Sequence, residues 1–464
     1  MSELYDKTNK TEIIAFAKHL KNKSLRDVCG ATAIEHGYEG KGHFGQILED
    51  FYFQYKPNSD SEPDFKEVGL ELKSSPLKRL KNKEYRAKER LVLNVINYID
   101  EVNYAFESSS FWRKNAHLLL VFYLHQASVD VLDLVIRLVD EWQFPEDDLE
   151  IIKQDWALIQ RKIIDGKAHE LSEGDTFYLG ACTKGSKGGN PRPQPNSVIL
   201  AKQRAFSLKQ GYVNHIVATI SHGSSEVYGK LVTSSKVLEK ESIESMVLAK
   251  FQPYYNKTVS EIEEAFKLRL NKNAKNFYAN LTNAMLGIEL GRKIEEFEKA
   301  DIKVKTVRLK SNNLPKEQMS FPAFKYKELV NEHWDDSQIK EILEHKFLFV
   351  FFQETSSGLV LKKVNFWNMP FSDLQEVKKV WLETKRIIKL GHIVKEIKDE
   401  KRYTNFPSKK FNHVSHVRPH ANDANDTYPL PFKDLVTAQF EYTKHGFWLN
   451  DSYIRDAIYF KKDD

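Results

Sequence analysis

The sequence has few cysteines and no long apolar run. Cys29 and Cys182 are the only cysteines in 464 residues, so a disulfide framework is excluded. The longest apolar runs, 118–124 and 347–352, are far shorter than the ~18 residues that a membrane-spanning helix needs. The first residues, MSELYDKTNKTE, lack the basic stretch and apolar core of a signal peptide. These absences argue against disulfide-rich secreted proteins and membrane proteins, and they predict a location in the reducing cytoplasm.

The residues that are present fit a folded and highly charged protein. Lys and Arg total 70 against 65 Asp and Glu, and 12% of the residues are aromatic. Without heptads, glycine repeats or long blocks of like charge, the coiled-coil, collagen-like and disordered classes are excluded. Helical patterns at 12–25, 44–55 and 129–164 alternate with strand patterns at 68–74 and 118–123. This alternation predicts an α/β fold of the mixed α+β kind.

The sequence contains an internal repeat, in which the second half follows the same plan as the first. A prior of ~150 residues per domain would suggest three domains, but the repeat predicts two lobes. Gly and Ser accumulate at 221–236, where hydrophobic periodicity lapses, so we predict lobes at 1–225 and 246–464 with a linker at 226–245. Five pairs of segments resemble each other in the same order: 22–25 and 256–259, 63–75 and 295–307, 117–123 and 345–351, 148–156 and 373–381, and 204–213 and 444–454.

An acid and a lysine stand close together in the first lobe. Glu71 and Lys73 are two residues apart, so on a strand they project from one face, while Leu70 and Leu72 point to the opposite, buried side. An ordinary amphipathic strand with solvated charges would show the same pattern. The second lobe separates the two interpretations, because 302–305 keeps the apolar alternation but has lysine where the first lobe has Glu71. The first lobe is therefore predicted to carry chemistry that the second has lost.

Two further carboxylates are placed to join Glu71. Asp64 can return to the same face through the turn at 67–69, and Glu49 lies on the helical segment GQILEDFY. Carboxylate oxygens suit Mg²⁺, which is usually held by one or two carboxylates together with water and substrate phosphate oxygens. A neighbouring ammonium can orient the attacking water and stabilise charge on the phosphorane. These residues predict metal-dependent hydrolysis of a phosphate ester.

The first lobe resembles the mismatch-repair nicking endonuclease MutH, and the whole chain resembles the two-lobed Sau-type restriction endonucleases that cut at GATC. The resemblance implies two tandem MutH-like lobes with the restriction-endonuclease fold. It implies that the first lobe cleaves and that the second is a degenerate, inactive copy that binds DNA as an effector. It is carried by KGHFGQILE at 41, PDFKEVGLELKSSP at 63, KERLVLNVINY at 88, EIIKQDW at 150, GKAHELSEG at 166, AKQRAFSLKQGY at 201, MSFPAFK at 319 and HVRPH at 416.

The same resemblance assigns roles to residues of the site. It implies a Mg²⁺ site formed by Glu49, Asp64 and Glu71, with Lys73 as the active-site lysine. Lys114, in ESSSFWRKN, corresponds to a further lysine of the family. The presence of Lys303 where the first lobe has a glutamate agrees with an inactive second lobe.

Basic segments follow the predicted metal site. Residues 73–90 contain eight Lys or Arg and two Glu, which either attract DNA phosphates or form a solvated loop. A glycine-rich loop at 182–189 carries further lysines. By resemblance these segments line the DNA groove and read the bases. In the second lobe, the side chain suited to a phosphate is Arg418. The base-reading candidates are Lys184, Arg204, Ser207 and Lys209.

These observations together predict a Type II restriction endonuclease that makes Mg²⁺-dependent double-strand cuts at GATC. Its partner is double-stranded DNA, bound as two copies by a chain that is monomeric or pairs on DNA. Two alternatives remain open. One is a MutH-type endonuclease that nicks a single strand, and the other is a DNA-binding regulator without enzymatic activity.

Overall fold

The computed structural model describes residues 4–30, 43–57, 61–184, 190–223, 228–398 and 401–461. It divides into two compact units. Unit 1 consists of Met1–Ile243 and Arg292–Ile302, and unit 2 consists of Glu244–Gly291 and Lys303–Asp464. Within the described ranges, no helix combines the length and apolarity needed to cross a membrane.

Most helices are short, and several begin at residues whose side chains satisfy free backbone N–H groups. The Asn9 side chain accepts from two such groups at the start of the first helix, and Ser24 forms a capping box at the start of the second. Two long helices each follow a proline, Pro145 or Pro370. In chain order the α-helices are α1 (Lys10–Lys18), α2 (Leu25–Cys29), α3 (His43–Ile47), α4 (Tyr98–Glu101), α5 (Ser110–Asn115), α6 (Glu146–Ile164), α7 (Gln210–His222), α8 (Ser235–Leu238), α9 (Ile243–Phe251), α10 (Val259–Ala265), α11 (Phe277–Met285), α12 (Glu295–Lys299), α13 (Tyr326–Leu329), α14 (Gln338–Leu343), α15 (Phe371–Leu390) and α16 (Asp451–Tyr453).

The larger sheet of unit 1 has the order β2-β1-β4-β5. Strand β4 pairs in parallel with β1 and antiparallel with β5. Nearly every residue of β4 is buried, as expected of a central strand covered on both faces. In the first half of the chain the strands are β1 (Glu71–Arg79), β2 (Tyr85–Ala87), β3 (Leu91–Val95), β4 (His117–Leu124), β5 (Ile136–Gln143), β6 (Leu179–Thr183), β7 (Arg192–Gln194), β8 (Ser197–Ala201), β9 (Arg204–Leu208), β10 (Tyr228–Gly229) and β11 (Lys293–Ile294).

The core of unit 1 lies between this sheet and the helices that cover it. Leu70, Leu72 and Leu119 are at most 3% exposed, and the Phe44 ring of α3 stacks on Tyr123. Each such side chain contributes about 1.5–3 kcal/mol through its burial. The prediction of helix throughout 129–164 was wrong at β5, a strand that pairs antiparallel with β4 and buries Ile136, Leu138 and Trp142. The helix predicted at 44–55 is α3 followed by a π-helical turn at Leu48–Tyr52.

A smaller antiparallel sheet completes unit 1. Its order is β3-β9-β6, and the hairpin β7-β8 lies between β6 and β9 in the chain. The side chain of Asp155 on α6 fixes the beginning of β6, because it accepts hydrogen bonds from three consecutive backbone N–H groups at 177–179. The larger sheet and this smaller one therefore each contribute residues of the predicted site.

Unit 2 repeats both sheets. Its larger sheet has the order β12-β14-β15, with a parallel pair followed by an antiparallel pair, and its smaller sheet has the order β13-β21-β18. These match β1-β4-β5 and β3-β9-β6 of unit 1. The prediction of two α/β lobes with one plan is confirmed. The remaining strands are β12 (Lys303–Leu309), β13 (Ser320–Phe324), β14 (Phe347–Thr355), β15 (Gly358–Trp367), β16 (Lys395–Lys398), β17 (Lys401–Thr404), β18 (Ser415–Pro419), β19 (Thr427–Pro429), β20 (Glu441–Thr443) and β21 (His445–Leu449).

One segment follows tertiary structure instead of the sequence repeat. The repeat assigns 292–302 to the second lobe, whereas the structure packs it within unit 1. The reason is a buried ionic network in which Lys299 of α12 lies 2.8 Å from Asp148 and 2.7 Å from Glu295. The hydroxyl of Tyr212 donates a further hydrogen bond to Asp148. The first unit also includes 228–243, most of the predicted linker.

Candidate active site

Glu71 is the first residue of β1 and lies at the centre of the site. It is 1% exposed, and its Oε2 atom accepts a hydrogen bond of 3.0 Å from the backbone N–H of Asp64. The Asp64 carboxylate in turn accepts a hydrogen bond of 3.0 Å from the backbone N–H of Leu72. Gly69, in the left-handed region at φ +63°, closes the turn between them. The structure thus joins Asp64 and Glu71 by reciprocal hydrogen bonds across the turn that the sequence indicated.

Two lysines converge on the same carboxylate. The ammonium of Lys73 donates to Oε1 of Glu71, so both side chains occupy one face of β1 as predicted. Lys114, at the end of α5, is 8% exposed and its Nζ lies 3.6 Å from the same oxygen. A buried carboxylate with two cations beside it is a preorganised ionic site, since withdrawal of both cations would leave a buried charge unpaired.

Glu49 faces this group from the π-helical turn that follows α3. Burial raises the pKa of Glu49 to about 7, and the next largest contribution is the negative charge of Asp64. Burial likewise raises the pKa of Glu71 to about 7, against the opposing effect of Lys73. Carboxyl groups that titrate near neutral pH and perturb one another are typical of functional sites. The three carboxylates named from the sequence are therefore brought into one electrostatic neighbourhood.

The chemistry of this neighbourhood fits a hard divalent cation. In the described part of the chain, no three His, Cys, Asp or Glu side chains already form a compact metal-binding cluster, and Glu71 Oε1 turns instead to the lysines. The hydroxyl of Tyr55 is buried next to these acids and has no hydrogen-bond partner among the described residues. Burial and the charges of Asp64 and Glu49 raise the pKa of Tyr55, so this hydroxyl remains a donor. Oxygen ligands with an unused donor beside them are compatible with Mg²⁺ and its water.

Sequence patterns gave no indication of Tyr55. The spacing between Glu49 and Tyr55 in the sequence does not predict that their side chains meet. Tyr55 reaches the site because the chain turns sharply after the π-helical segment. Its backbone N–H donates to the Glu49 carbonyl at 3.0 Å, and its ring packs edge-on against Phe65. The only cue in the sequence is that Tyr55 is an aromatic residue close in the chain to the predicted acids.

The base-reading candidates lie on the smaller sheet of unit 1. Arg204 and Ser207 are on β9, and Lys209 follows it; all three are at most 6% exposed. Arg204 donates to the carbonyl of Ala181 at 2.6 Å, and Lys209 donates to the carbonyl of Thr176. Nε of Arg204, Oγ of Ser207 and Oγ1 of Thr176 are buried without a partner among the described residues.

Lys184 is arranged differently from the other candidates. It is exposed at the end of β6, and its backbone N–H donates to the carbonyl of Gln203. The glycine-rich loop predicted to follow it, at 185–189, falls outside the described residues.

In unit 2, Arg418 occupies the corresponding sheet. The guanidinium lies 4.7 Å from the centroid of the Trp448 ring, on the neighbouring strand, and donates to the side chain of Gln318. Nε1 of Trp448 and Nδ1 of His420 are buried without a partner in the described ranges. The smaller sheets of both units thus present polar atoms that an external ligand could satisfy.

The acidic centre is not repeated in unit 2. Lys303 pairs with Phe347 on the central strand just as Glu71 pairs with Leu118, so lysine occupies the position of the acid. Thr282 follows the buried Leu281 of α11 as Glu49 follows Leu48, and both helical segments pack against the first strand of their sheet. The strand register supports the substitution that the sequence repeat indicated.

Comparisons with known proteins agree with this geometry. The family model described as DNA mismatch repair enzyme MutH matches residues 53–155. The chain is 37% identical to the Type II restriction enzyme Sau3AI of Staphylococcus aureus, over 95% of this chain and 96% of that enzyme. It is 26% identical to the mismatch repair protein MutH of Shewanella woodyi, over 41% of this chain and 84% of that protein, and 24% identical to MutH of Yersinia enterocolitica, over 38% and 77%.

An α/β unit that matches the MutH model and joins buried Glu71 to Asp64 and Lys73, with a second unit that repeats both of its sheets, defines the class of site-specific deoxyribonucleases with the restriction-endonuclease fold. Within that class, the chain belongs to the family of the Type II restriction enzyme Sau3AI. The predicted recognition, fold class and enzymatic activity are confirmed at this level.

Proposed function

We propose that this restriction endonuclease cuts both strands of DNA at GATC with Mg²⁺, that unit 1 is catalytic, and that unit 2 binds a second DNA copy as an effector. The carrying observation is the asymmetry between the two units. Unit 1 has the buried carboxylate Glu71, hydrogen-bonded to Asp64 and flanked by Lys73 and Lys114, whereas unit 2 has Lys303 at the same register position.

The residues of unit 1 suggest how the work of hydrolysis is divided. Glu49, Asp64 and Glu71 would hold Mg²⁺, which when bound supplies charge stabilisation and lowers the pKa of a bound water. Lys73 is fixed against Glu71, so its ammonium is positioned to orient the attacking water and to neutralise charge on the phosphate. Lys114 adds a second buried cation on the same side. The reaction class is in-line attack of water on a phosphodiester.

The smaller sheets support the assignment of DNA contacts. In unit 1, buried polar atoms of Arg204 and Ser207 lack partners among the described residues, and exposed Lys184 lies at the end of the neighbouring strand. Arg or Lys contacting guanine O6 and N7 is the commonest direct readout, which fits a site that contains G. The GATC sequence itself follows from the resemblance to Sau-type enzymes. A cytoplasmic location is part of the proposal.

Unit 2 supports an effector role in two ways. It keeps the smaller sheet, with Arg418 stacked on Trp448 and, beside them, polar atoms that have no partner in the described part of the chain. It also replaces the acid of the larger sheet by Lys303, so it can attract DNA without the carboxylate needed for cleavage.

Digestion of a sequenced plasmid tests the proposal. With Mg²⁺ we expect linear fragments whose mapped ends fall at GATC, and with EDTA we expect no cleavage. Accumulation of the open-circle form would favour the strand-nicking alternative. Glu71→Ala and Lys73→Ala should lower the cleavage rate at least about 10²-fold, whereas Glu67→Ala, at an exposed position in the adjoining turn, should leave it unchanged. Unchanged cleavage in the first two variants would overturn the assignment of the centre.

The effector role has a separate test. A plasmid with one GATC site should be cut faster when a short GATC duplex is added in trans, because the duplex occupies unit 2. An equal duplex without GATC is the control. Inhibition at all duplex concentrations, without stimulation, would contradict an effector site.

A further inference from the structure

In unit 2, the position of the acidic centre is occupied by two lysines. Lys303 and Lys305 stand two residues apart on β12, where Glu71 and Lys73 stand on β1, and they pair in parallel with Phe347 and Phe349 of β14. Their side chains therefore leave the same face of the strand. Lys303 is exposed and Lys305 is half-buried.

Neither ammonium is compensated. Among the residues that the structure describes, no hydrogen bond or ion pair involves the side chain of Lys303 or Lys305. Burial and the like charge of Lys303 lower the pKa of Lys305. Two adjacent cations without an anion cost stability, because each disfavours the charged form of the other. Elsewhere in unit 2, comparable lysines are paired, as Lys346 is with Glu244 and Lys340 with Glu344.

The groups that balance charge in unit 1 are missing here. Thr282 of α11, which like Glu49 follows a buried leucine, carries no charge, and its hydroxyl donates to the carbonyl of Tyr278 at 2.8 Å. Leu343, fully buried, precedes the central strand with the spacing that Lys114 has in unit 1. Glu296, which the repeat places opposite Asp64, instead accepts hydrogen bonds from the backbone of Leu231 and Val232 within unit 1. Unit 2 itself thus keeps a lysine at the Lys73 position and gains one at the Glu71 position.

We propose that Lys303 and Lys305 form a metal-independent binding site for a backbone phosphate of the DNA bound by unit 2. The inference rests on the proposed effector function and adds the group that anchors the duplex. In unit 1 a metal ion would have to stand between carboxylates and phosphate. In unit 2 the two ammonium groups meet the phosphate directly, so the duplex is held where cleavage would occur but is not cut. Charge-assisted hydrogen bonds of this kind are among the stronger polar contacts.

Binding without metal provides the test. The full chain carrying Glu71→Gln, which prevents cleavage, is titrated in EDTA with a fluorescent duplex containing one GATC site, and the number bound per chain is measured by native mass spectrometry. We expect two duplexes. Adding Lys303→Gln and Lys305→Gln should weaken the second duplex at least about 10-fold and reduce the slope of log K against log salt by about 1, since one phosphate contact contributes about 0.9.

Matched controls separate a local site from general electrostatics. Lys327→Gln with Lys389→Gln removes the same charge from exposed positions of unit 2 and should leave the second duplex within about twofold. Lys305→Arg with Lys303→Arg should retain binding. Thermal unfolding of the glutamine variant should be unchanged or later, because two repelling charges have been removed.

The possible outcomes distinguish the phosphate site from the effector function. Two duplexes bound with unchanged affinity and salt slope in the Lys303→Gln, Lys305→Gln chain would overturn the phosphate site and leave the effector function standing. Equal weakening in the exposed control would overturn it too. A single duplex bound by the parent Glu71→Gln chain would overturn the effector function together with this inference.

Discussion

Replacing Glu71 by glutamine should remove activity and increase stability, with a gain that depends on pH. The carboxyl is 1% exposed, and its pKa is raised from 4.5 to about 7 by burial. Between about pH 4.5 and 7 the folded state holds a proton that the unfolded state releases, so stability falls as pH rises through this window. At 1.36 kcal/mol per pKa unit, ionisation of Glu71 above pH 7 costs up to about 3 kcal/mol. Glutamine keeps the shape and removes this cost, and the carboxylate of Glu49 still acts electrostatically on Lys73 and Lys114.

The assay is calorimetric unfolding of the full chain in EDTA at pH 5 and pH 8, with cleavage measured in Mg²⁺. We expect Glu71→Gln to unfold up to about 5–10 °C later than the parent at pH 8 and at nearly the same temperature at pH 5. Cleavage should fall at least about 10²–10³-fold. Glu67→Gln, at an exposed position, is the control and should change neither property. A loss of stability at pH 8, or an equal gain at both pH values, would refute this account of the buried carboxyl.

Three further outcomes are expected. Lys73→Ala should lower the single-turnover cleavage rate about 10²–10³-fold while duplex affinity in EDTA changes little, and an equal loss of both would point to a binding role only. Lys299→Met leaves Asp148 buried without its cation and should cost about 3–5 kcal/mol in thermal unfolding, whereas Lys293→Met, at a side chain 54% exposed, should cost under about 1 kcal/mol. Affinity for Mg²⁺ in the absence of DNA, measured by titration calorimetry, should rise between pH 6 and pH 8 with release of protons. The reason is that two carboxyl groups with pKa near 7, those of Glu49 and Glu71, must ionise to bind the ion. A flat pH profile would contradict this.

The buried ionic network around Lys299 in unit 1 explains why the sequence repeat and the structural units have different boundaries. Residues 292–302 resemble the segment that carries Asp64, and by that resemblance they belong with the second lobe. In the structure, Lys299 pairs with Asp148 and Glu295, and Glu296 accepts backbone hydrogen bonds from Leu231 and Val232. Burying these charges without partners would cost several kcal/mol. Ion pairing with α6 therefore places residues 292–302 in unit 1, although their sequence pattern alone assigns them to the second lobe.

The strand β5 shows a second limit. Charged residues at 137, 140 and 141 suggested a helix with a solvated face, but the strand pairs antiparallel with β4 and buries Ile136, Leu138 and Trp142 on alternate positions. A period of two and a period of 3.6 are hard to distinguish over eight residues. Pairing with the buried strand β4 stabilises the strand conformation, and no local sequence pattern contains that information.

By itself, the sequence determined the features that depend on near neighbours. The alternation of Leu70, Glu71, Leu72 and Lys73 placed acid and lysine on one strand face, and the order of the five repeated segments predicted two lobes of one plan. These follow from the two-residue period of a strand and from chain order, which are local properties.

Only tertiary structure decided what surrounds those residues. It buried Glu71 instead of exposing it and brought Lys114 within 3.6 Å of its carboxylate. It also set the hydroxyl of Tyr55, which has no partner among the described residues, beside the acids. The parallel register of β1 and β4, and of β12 and β14, fixed which residue of unit 2 replaces which residue of unit 1. Contacts between residues far apart in the chain depend on packing of whole elements, and burial shifts pKa values only once that packing exists.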